Sequence, residues 1–207
     1  MNYPGGPVSA RGLRNSVLNL PNLLTILRIV VIPFVLWLLY SGTPKMCFWA
    51  AFVYTLAVIT DALDGWLARK YGIISILGKF LDPLAGKLIV MAMLVVLVDM
   101  QRAPAWLVVV IVARELAINA LRSIAAGEGI VMAAGRGGKD KTALQMVGLL
   151  LLILHYPYDL YFGFTTVSVD LHQVGLVIMY VSVVFAVMSA AEYMTAFSRA
   201  VRTQSET

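Results

Sequence analysis

Three aspartates lie in one short segment of a chain that is otherwise mostly apolar. The segment DALDGWLARKYGIISILGKFLDPLAGK contains Asp61, Asp64 and Asp82 within or beside apolar runs. Ionised carboxylates at membrane depth are costly and repel one another, so they need a partner. The segment offers hard oxygen ligands and no His or Cys, which favours Mg²⁺, Mn²⁺ or Ca²⁺ over zinc. The alternative interpretation is ion pairing with the Arg and Lys residues of the same segment at a hydrated helix end.

The spacing of these carboxylates places them on shared helix faces. At about 100° per residue, Asp64 lies about 60° to one side of Asp61 and Gly65 about 40° to the other. On the next helix, Asp82 lies one turn before position 86, on a common face. Two carboxylates from each of two adjacent helices suit a pair of metal ions about 4 Å apart, as used in phosphoryl transfer. Position 86, however, is a glycine.

The dipeptide Asp82-Pro83 leaves the start of this second helix undecided. Asp before Pro is a helix-start signature, with the aspartate as N-cap and the proline at the first helical position. If the helix begins earlier in the chain, Gly78 joins the face that carries Asp82.

The elements that must position these groups are predicted to be membrane helices. The chain has 207 residues, of which 60% are hydrophobic and 13% are charged, and its mean hydropathy is +0.86. A bilayer span needs about 20 mostly apolar residues. Six apolar runs are interpreted as spans, of which the fifth is short and needs its flanks: Leu23–Tyr40, Met46–Ala68, Leu81–Val98, Pro104–Ala125, Thr142–Tyr156 and Leu171–Ala196. With their short connections they predict an all-α, six-helix membrane bundle that forms a single domain over residues 1–207.

Basic residues predict the orientation of this bundle. They fall at the N-terminus, in alternate connections and at the C-terminus: Arg11, Arg14, Arg69, Lys70, Lys79, Arg122, Arg136, Lys139, Lys141, Arg199 and Arg202. The positive-inside rule therefore places both termini in the cytoplasm. Residues 1–20 form a cytoplasmic arm, in which Arg11–Leu20 is either a short interfacial helix or a plain juxtamembrane segment. The net charge of +5 suits an anionic lipid surface, and topology explains most of the cations, which disfavours nucleic-acid binding.

The acidic segment resembles the signature of the CDP-alcohol phosphatidyltransferases, D-x2-D-G-x2-A-R-x8-G-x3-D-x3-D. The matching positions are Asp61, Asp64, Gly65, Ala68, Arg69, Gly78 and Asp82. Three further segments, NLPNLLTILRIVVIPF, ARELAINALRSIAA and GKDKTALQM, are similar to those of phosphatidylglycerophosphate synthases. The resemblance therefore covers most of the chain, from about Leu18 to Gln145.

This resemblance implies a phosphatidyltransferase that moves the phosphatidyl group of CDP-diacylglycerol to sn-glycerol 3-phosphate, giving phosphatidylglycerophosphate and CMP. It implies a site of two divalent ions, Mg²⁺ or Mn²⁺, and a homodimer embedded in membrane lipids. The residues assigned by resemblance are Asp61, Asp64 and Asp82 as metal ligands, and Gly65, Ala68, Arg69 and Gly78 in the cytidine nucleotide pocket. Together with the charge pattern, it places the protein in a bacterial cytoplasmic membrane with the active site facing the cytoplasm.

The acceptor in such a reaction carries a phosphate dianion and needs cations. Arg114 lies well inside the fourth span, where an unpaired arginine is costly. Adjacent Glu115 points about 100° away, so we expect Arg114 to bind the phosphate and not this acid. Arg122, two turns along, fits either phosphate binding or a cytoplasmic flank. In the basic, glycine-rich connection GRGGKDKT, Lys139 and Lys141 are further candidates, and an ordinary positive loop is the alternative.

Gly86 is the departure from the family signature, whose last aspartate falls on this position. By the resemblance, that aspartate both binds metal and deprotonates the attacking hydroxyl, and glycine can do neither. A positioned general base contributes about 10²–10⁴-fold to the rate. We therefore expect this chain to bind CDP-diacylglycerol but to turn over slowly or not at all. The alternative is a purely structural glycine, which would permit close helix packing.

Three other functions remain as alternatives. The acceptor could be serine, inositol phosphate or a second phosphatidyl group, as in cardiolipin synthesis. A non-catalytic protein that binds CDP-diacylglycerol is motivated by Gly86. A cation or proton transporter ranks last, because the acids cluster at one face of the predicted bundle and do not continue across it. His155 and His172 flank the opposite face and are interpreted as interface residues.

Overall fold

The computed structural model describes residues 20–71, 76–128, 137–161, 163 and 166–205. The helices are α1 Leu20–Tyr40, α2 Pro44–Tyr71, α3 Ile76–Asp99, α4 Ala105–Gly127, α5 Gly137–Leu154 and α6 Leu171–Ser205, and the strands are β1 Pro157–Tyr161 and β2 Thr166–Asp170. The fold is mostly helical, as predicted, and each predicted apolar run corresponds to one of these helices. The predicted interfacial helix at Arg11–Leu20 lies outside the described residues, apart from its last residue.

Two helices that carry predicted site residues begin before their apolar runs. α3 begins at Ile76, so Asp82-Pro83 lies inside the helix, and the N-cap interpretation of Asp82 is wrong. The fixed φ of Pro83 is compatible with a helix, and in an apolar environment a helix satisfies the neighbouring backbone groups. α5 begins at Gly137, so Lys139 and Lys141 lie in its first turns, where the sequence predicted a connection.

The first of two compact units covers Met1–Ala92, and its described core lies between α1 and α2. Buried residues recur at spacings of three and four on both helices: Val35, Leu38, Leu39, Cys47, Ala50, Ala51, Tyr54 and Ala57. This spacing lines one face of each helix, and the alanines let the two backbones approach. Gly42 closes the connection with a φ of 67°, which glycine adopts without a Cβ clash.

The second unit covers Met93–Thr207, and its most extensive helix contact joins α5 to α6. Gly148 and Gly175 lie at this contact. A Cβ added to Gly175 would lie 3.1 Å from the Leu152 amide nitrogen and 3.2 Å from the Gly148 carbonyl oxygen. A Cβ added to Gly148 would lie 2.8 Å from the Met179 side chain. The two glycines therefore permit the close backbone approach that holds α5 against α6.

A β-hairpin that the all-helical prediction did not include connects α5 to α6. β1 and β2 pair antiparallel, with Pro157 opposite Asp170 and Tyr161 opposite Thr166. Their Tyr, Val and Thr residues favour extended backbone, and the segment is too short and too polar for a membrane span. The Asp170 carboxylate then caps α6 by accepting hydrogen bonds from the amides of His172 and Gln173, at 3.0 and 3.2 Å.

The described helices carry the apolar surface of a membrane protein. Leu171–Arg202, within α6, has 32 residues and contains an 18-residue window with a mean hydropathy of 2.3, and among the described residues it is the one helical stretch long and apolar enough to cross a bilayer. Shorter apolar helical stretches cover Ile29–Tyr40 and Thr142–Leu154. Large apolar side chains also face outwards, with Trp37 62% and Val109 64% exposed. Contiguous exposure of this kind suits lipid and not water.

Two histidines meet where α5 ends and α6 begins. The ring centroids of His155 and His172 are 4.7 Å apart, and the rings cross at 78°. His155 has a φ of 59°, in the left-handed region that Asn tolerates better than most residues. Burial lowers the pKa of His155, the positive charges of Arg102 and His172 lower this pKa further, and Asp170 raises it. The net effect is a pKa below the ordinary value of 6.5.

Acidification is therefore expected to destabilise the fold through His155. Because the folded pKa is the lower one, the unfolded chain binds the proton first as the pH falls below about 6.5, and stability declines until the pH passes the folded pKa. We predict that the melting temperature in detergent falls less between pH 7.5 and 5.5 for His155→Asn than for the natural chain. Asn keeps the left-handed φ accessible, so the comparison isolates the titration. Equal pH dependence in both proteins would rule out this role of His155.

Candidate active site

The acidic end of α2 faces the glycine position of α3 within the first unit. A Cβ built on Gly86 would lie 3.6 Å from the Oδ2 atom of Asp61, an ordinary van der Waals distance. The preceding residue, Thr60, turns its hydroxyl back to donate to the Leu56 carbonyl at 2.7 Å, so it does not compete for this space. The structure therefore brings together position 61 and position 86, the first and last positions of the signature.

Space and charge have opposite consequences at position 86. Among the described residues, Asp61 Oδ2 is the nearest neighbour of the added Cβ, so these residues leave room for a methyl group here. A second carboxylate at this point would lie close to the first, and two like charges about 4 Å apart repel by about 4 kcal/mol at an effective dielectric constant of 20. Such a pair is stable only with a shared proton or a cation between the carboxylates. The geometry thus suits two acids around a hard metal ion.

The other signature residues lie on the same two helices. The C-terminal turns of α2 carry Asp64, Gly65, Ala68 and Arg69, and the first turns of α3 carry Gly78 and Asp82. The backbone there is helical, which is the premise of the predicted shared faces. The side chains of residues 64–85 lie outside the described part of the structure, as do those of Lys139 and Lys141. Their roles as metal, nucleotide and phosphate ligands remain predictions.

Arg114, in the second unit, makes several polar contacts. Its side chain is 12% exposed and forms an ion pair with Glu115, with 2.8 Å between Nη1 and Oε1. It also donates from Nε to the Ala186 carbonyl at 3.3 Å and from Nη2 to the Ser189 hydroxyl at 3.1 Å, both on α6. The expectation that Glu115 is a poor partner is therefore wrong. Both side chains are long enough to close the angle of about 100° between their Cβ directions.

Arg122 has a different environment. Its side chain is exposed, and its guanidinium carbon lies 5.8 Å from the centre of the Tyr193 ring on α6. Tyr193 is only 8% exposed, and its hydroxyl has no hydrogen-bond partner among the described residues. A cation over an aromatic face is held in place without losing its charge. Of the two predicted phosphate-binding arginines, Arg122 is therefore the one left available to an anion.

α6 contributes to the surroundings of Arg114 and Arg122, which residue spacing did not predict. Ala186, Ser189 and Tyr193 recur at spacings of three and four, so they share one helix face, and α4 contacts that face. The signal was present as polar groups on one side of an otherwise apolar span, which is a functional indication in a membrane helix. Ala186 and Ser189 contact Arg114, and Tyr193 contacts Arg122. These five residues form one polar seam between α4 and α6.

Comparison with known proteins agrees with the signature. The family model for CDP-alcohol phosphatidyltransferase matches residues 18–188, a stretch that runs through both units. The chain is 37% identical to the CDP-diacylglycerol–glycerol-3-phosphate 3-phosphatidyltransferase of Bacillus subtilis, over 89% of this chain and 98% of the relative. It is 34% identical to a probable phosphatidylglycerophosphate synthase of Mycobacterium tuberculosis, over 87% and 82%. The Rickettsia bellii relative, named like the first, is 34% identical over 86% and 94%.

The Arg114–Glu115 pair is expected to stabilise the seam between α4 and α6. Glu115→Gln leaves a mostly buried guanidinium without its counter-charge, so we predict a loss of about 1–3 kcal/mol in the free energy of unfolding in mixed micelles. Glu128→Gln, at the exposed end of α4, is the control and should change stability by less than about 0.5 kcal/mol. Arg114→Gln combined with Glu115→Gln should cost less than the sum of the single changes. Strict additivity would argue against the pair.

Proposed function

Because the chain belongs to the CDP-alcohol phosphatidyltransferase family, we propose that it transfers the phosphatidyl group of CDP-diacylglycerol to sn-glycerol 3-phosphate. The products are phosphatidylglycerophosphate and CMP. The observation that carries this proposal is identity of 34–37% over most of both chains with relatives named for this reaction. The exposed Arg122 on the α4–α6 seam supports a phosphorylated acceptor over serine.

We assign the donor site to the acidic ends of α2 and α3. Asp61, Asp64 and Asp82 would hold two divalent ions, Mg²⁺ or Mn²⁺, and the fit rests on their hard oxygen donors and on the carboxylate of Asp61 facing position 86. When bound, such ions neutralise charge on the pyrophosphate. The residues proposed to line the cytidine nucleotide pocket are Gly65, Ala68, Arg69 and Gly78. The three small residues would leave room for a base, and Arg69 would supply one cation for a phosphate.

We assign the acceptor phosphate to Arg122, with Lys139 and Lys141 as further cations. The two lysines lie at the start of α5, where the positive end of the helix dipole disfavours cations, so an anionic partner would relieve this repulsion. Arg114 was predicted as a direct phosphate ligand. Because three of its N–H groups are engaged by Glu115 and α6, its proposed contribution is to hold α4 in place and to supply the rest of its donors.

The proposed reaction needs a base that this chain lacks at position 86. A bond forms between the attacking hydroxyl oxygen of the acceptor and the phosphorus of the phosphatidyl group. The bond from that phosphorus to the bridging pyrophosphate oxygen breaks, and CMP leaves with the electron pair. The hydroxyl proton must go to a nearby carboxylate or to water. Without an aspartate at position 86, the proton has a less favourable acceptor, so the chemical step is expected to be slow.

The membrane arrangement completes the proposal. Six spans, cytoplasmic termini and a site facing the cytoplasm follow from the distribution of Lys and Arg, and the span in α6 supports membrane residence. A single domain is supported by the family match, which continues through both units. The proposed location is a bacterial cytoplasmic membrane, and a homodimer is implied by the family resemblance. Acyl chains of the donor would then stay in the bilayer while the head group reaches water.

Restoring the carboxylate at position 86 tests the proposed chemistry. We predict that Gly86→Asp raises the rate of CMP release and phosphatidylglycerophosphate formation by about 10²–10⁴-fold in detergent with Mg²⁺ or Mn²⁺. Gly86→Ala is the matched control, since its methyl group occupies the same position at an ordinary contact distance but cannot accept a proton. The control should remain as slow as the natural chain. Equal and robust rates in all three proteins would contradict the role of position 86.

The same glycine motivates the second candidate, a non-catalytic protein that binds CDP-diacylglycerol. The two functions separate in one experiment. Saturable binding of CDP-diacylglycerol without CMP release, in both the natural chain and Gly86→Asp, would favour the non-catalytic protein. Product formation by Gly86→Asp would favour the enzyme.

Arg122 and its aromatic support test the acceptor assignment in the Gly86→Asp background. We predict that Arg122→Gln raises the KM for glycerol 3-phosphate by about 10-fold or more, the effect of losing a charge-assisted hydrogen bond, and leaves the KM for CDP-diacylglycerol unchanged. Tyr193→Leu removes the ring beneath Arg122 and should raise the acceptor KM about 2–5-fold. Tyr193→Phe keeps that ring and should resemble the parent. Equal losses from the Phe and Leu variants would show that the hydroxyl, and not the ring, is what matters.

A further inference from the structure

A cleft at the N-terminal end of α4 has a mostly apolar lining that includes side chains able to donate hydrogen bonds. Its volume is about 530 Å³, and its polar groups come from Gln101, Arg102 and His172. Leu176 and Tyr180, one and two turns further along α6, extend the lining with apolar surface. Among the described residues that line this cleft, none is acidic. Its chemistry therefore matches an anion with an apolar extension.

Arg102 is the buried charge of this cleft. It is only 4% exposed, and its Nη1 atom donates to the Ile153 carbonyl in the last turn of α5, at 3.2 Å. Its guanidinium carbon lies 5.9 Å from the centre of the Tyr156 ring. These contacts fix the guanidinium against the end of α5 while one side of the residue lines the cleft. An arginine that lines a cleft supplies a positive charge, which favours an anion such as a phosphate.

The two histidines next to Arg102 leave polar atoms unused. The Nδ1 atoms of His155 and His172 are both buried and have no hydrogen-bond partner among the described residues. An unsatisfied buried nitrogen costs about 1–3 kcal/mol, and such atoms recur at functional sites or beside a ligand. His172 lines the cleft, and His155 packs against its ring.

Backbone strain marks the same place. Within the described residues, the two non-glycine residues with positive φ are Gln101, at 58°, and His155, at 59°. Gln101 lines the cleft, and His155 contacts His172. Non-glycine residues in the left-handed region cost about 1–3 kcal/mol each and are found most often at binding sites. Gln101, after the end of α3, and His155, after the end of α5, therefore keep a backbone conformation that glycine would adopt more easily.

Aromatic side chains locate the cleft at the depth of lipid head groups. The rings of Trp106 and Tyr180 stack with their centroids 5.7 Å apart, and they are 56% and 39% exposed. Exposed Trp and Tyr residues concentrate where a membrane helix meets the head-group region. Leu176 lies one turn from Tyr180 on the apolar span of α6, so a chain that follows it runs into the bilayer.

We propose that this cleft binds an anionic phospholipid, with its phosphate at Arg102 and His172 and an acyl chain along Leu176 and Tyr180. The site is separate from the acceptor site, since Trp106 and Arg122 lie about 24 Å apart along α4. This lipid-binding proposal does not depend on the proposed reaction. The ligand is a structural or regulatory lipid and not a substrate. A zwitterionic lipid binds more weakly, because its positive head group faces Arg102.

Lipid retention by the full-length protein tests this proposal. The protein is purified in detergent, titrated with dioleoyl phosphatidylglycerol or dioleoyl phosphatidylcholine, and the bound lipid is counted by native mass spectrometry. We expect a higher-affinity binding event for phosphatidylglycerol that His172→Leu weakens about tenfold, as expected for loss of a charge-assisted hydrogen bond. Arg102→Gln should weaken it at least as much. His172→Leu is the safer variant, because Arg102 also holds the end of α5.

The controls make the outcome decisive. Arg199→Gln removes an exposed cation from the far end of α6 and should leave retention unchanged. Inorganic phosphate at millimolar concentration should not displace the lipid, because it lacks the acyl chain. Equal retention of phosphatidylglycerol by the natural chain, Arg102→Gln and His172→Leu would overturn the proposal. So would complete displacement by inorganic phosphate, which would indicate a simple anion site.

Discussion

The need to neutralise charge inside an apolar chain governs the arrangement of the second unit. Arg114 meets this need by joining Glu115 on its own helix to a carbonyl and a hydroxyl on α6. Once that guanidinium is fixed, α4 and α6 have a defined register. That register places Trp106 against Tyr180 at one end of α4 and Arg122 against Tyr193 at the other. The hydrogen bonds of one arginine thus connect the two helices whose ends form two chemically distinct regions.

The first unit meets the same need in a different way. There the signature places three aspartates on α2 and α3, and in the proposed function divalent ions would balance their charge. The space at Gly86 beside Asp61 fits this view, since the two positions adjoin as the signature requires. This adjacency agrees with the proposed donor site, in which Gly86 stands where the signature has its last aspartate.

Much of the helical framework could be predicted, because apolar runs and membrane thickness limit the choices strongly. The signature likewise identified positions 61 and 86 as neighbours. Other features could not be predicted from spacing. The pairing of Arg114 with Glu115 depends on side-chain torsions, which a helical wheel does not include. The role of Tyr193 was not predicted, because its span was identified from average hydropathy alone. The β-hairpin was not predicted, because short strands give little periodic signal in a sequence. The start of α3 was left undecided, because Asp-Pro commonly begins helices.

The glycine contact between α5 and α6 has a consequence for how the chain enters the membrane. Where Gly148 and Gly175 meet, no side chain separates the backbones, so the attraction is mainly dispersion and does not depend on excluding water. It therefore persists when the surroundings are lipid. The apolar part of α5, Thr142–Leu154, is too short to span a bilayer unaided, whereas α6 carries a full span. We expect α5 and α6 to insert into the membrane together, as a pair of helices that have already packed against each other. The β-hairpin between them would then be the first part of the pair to cross the bilayer.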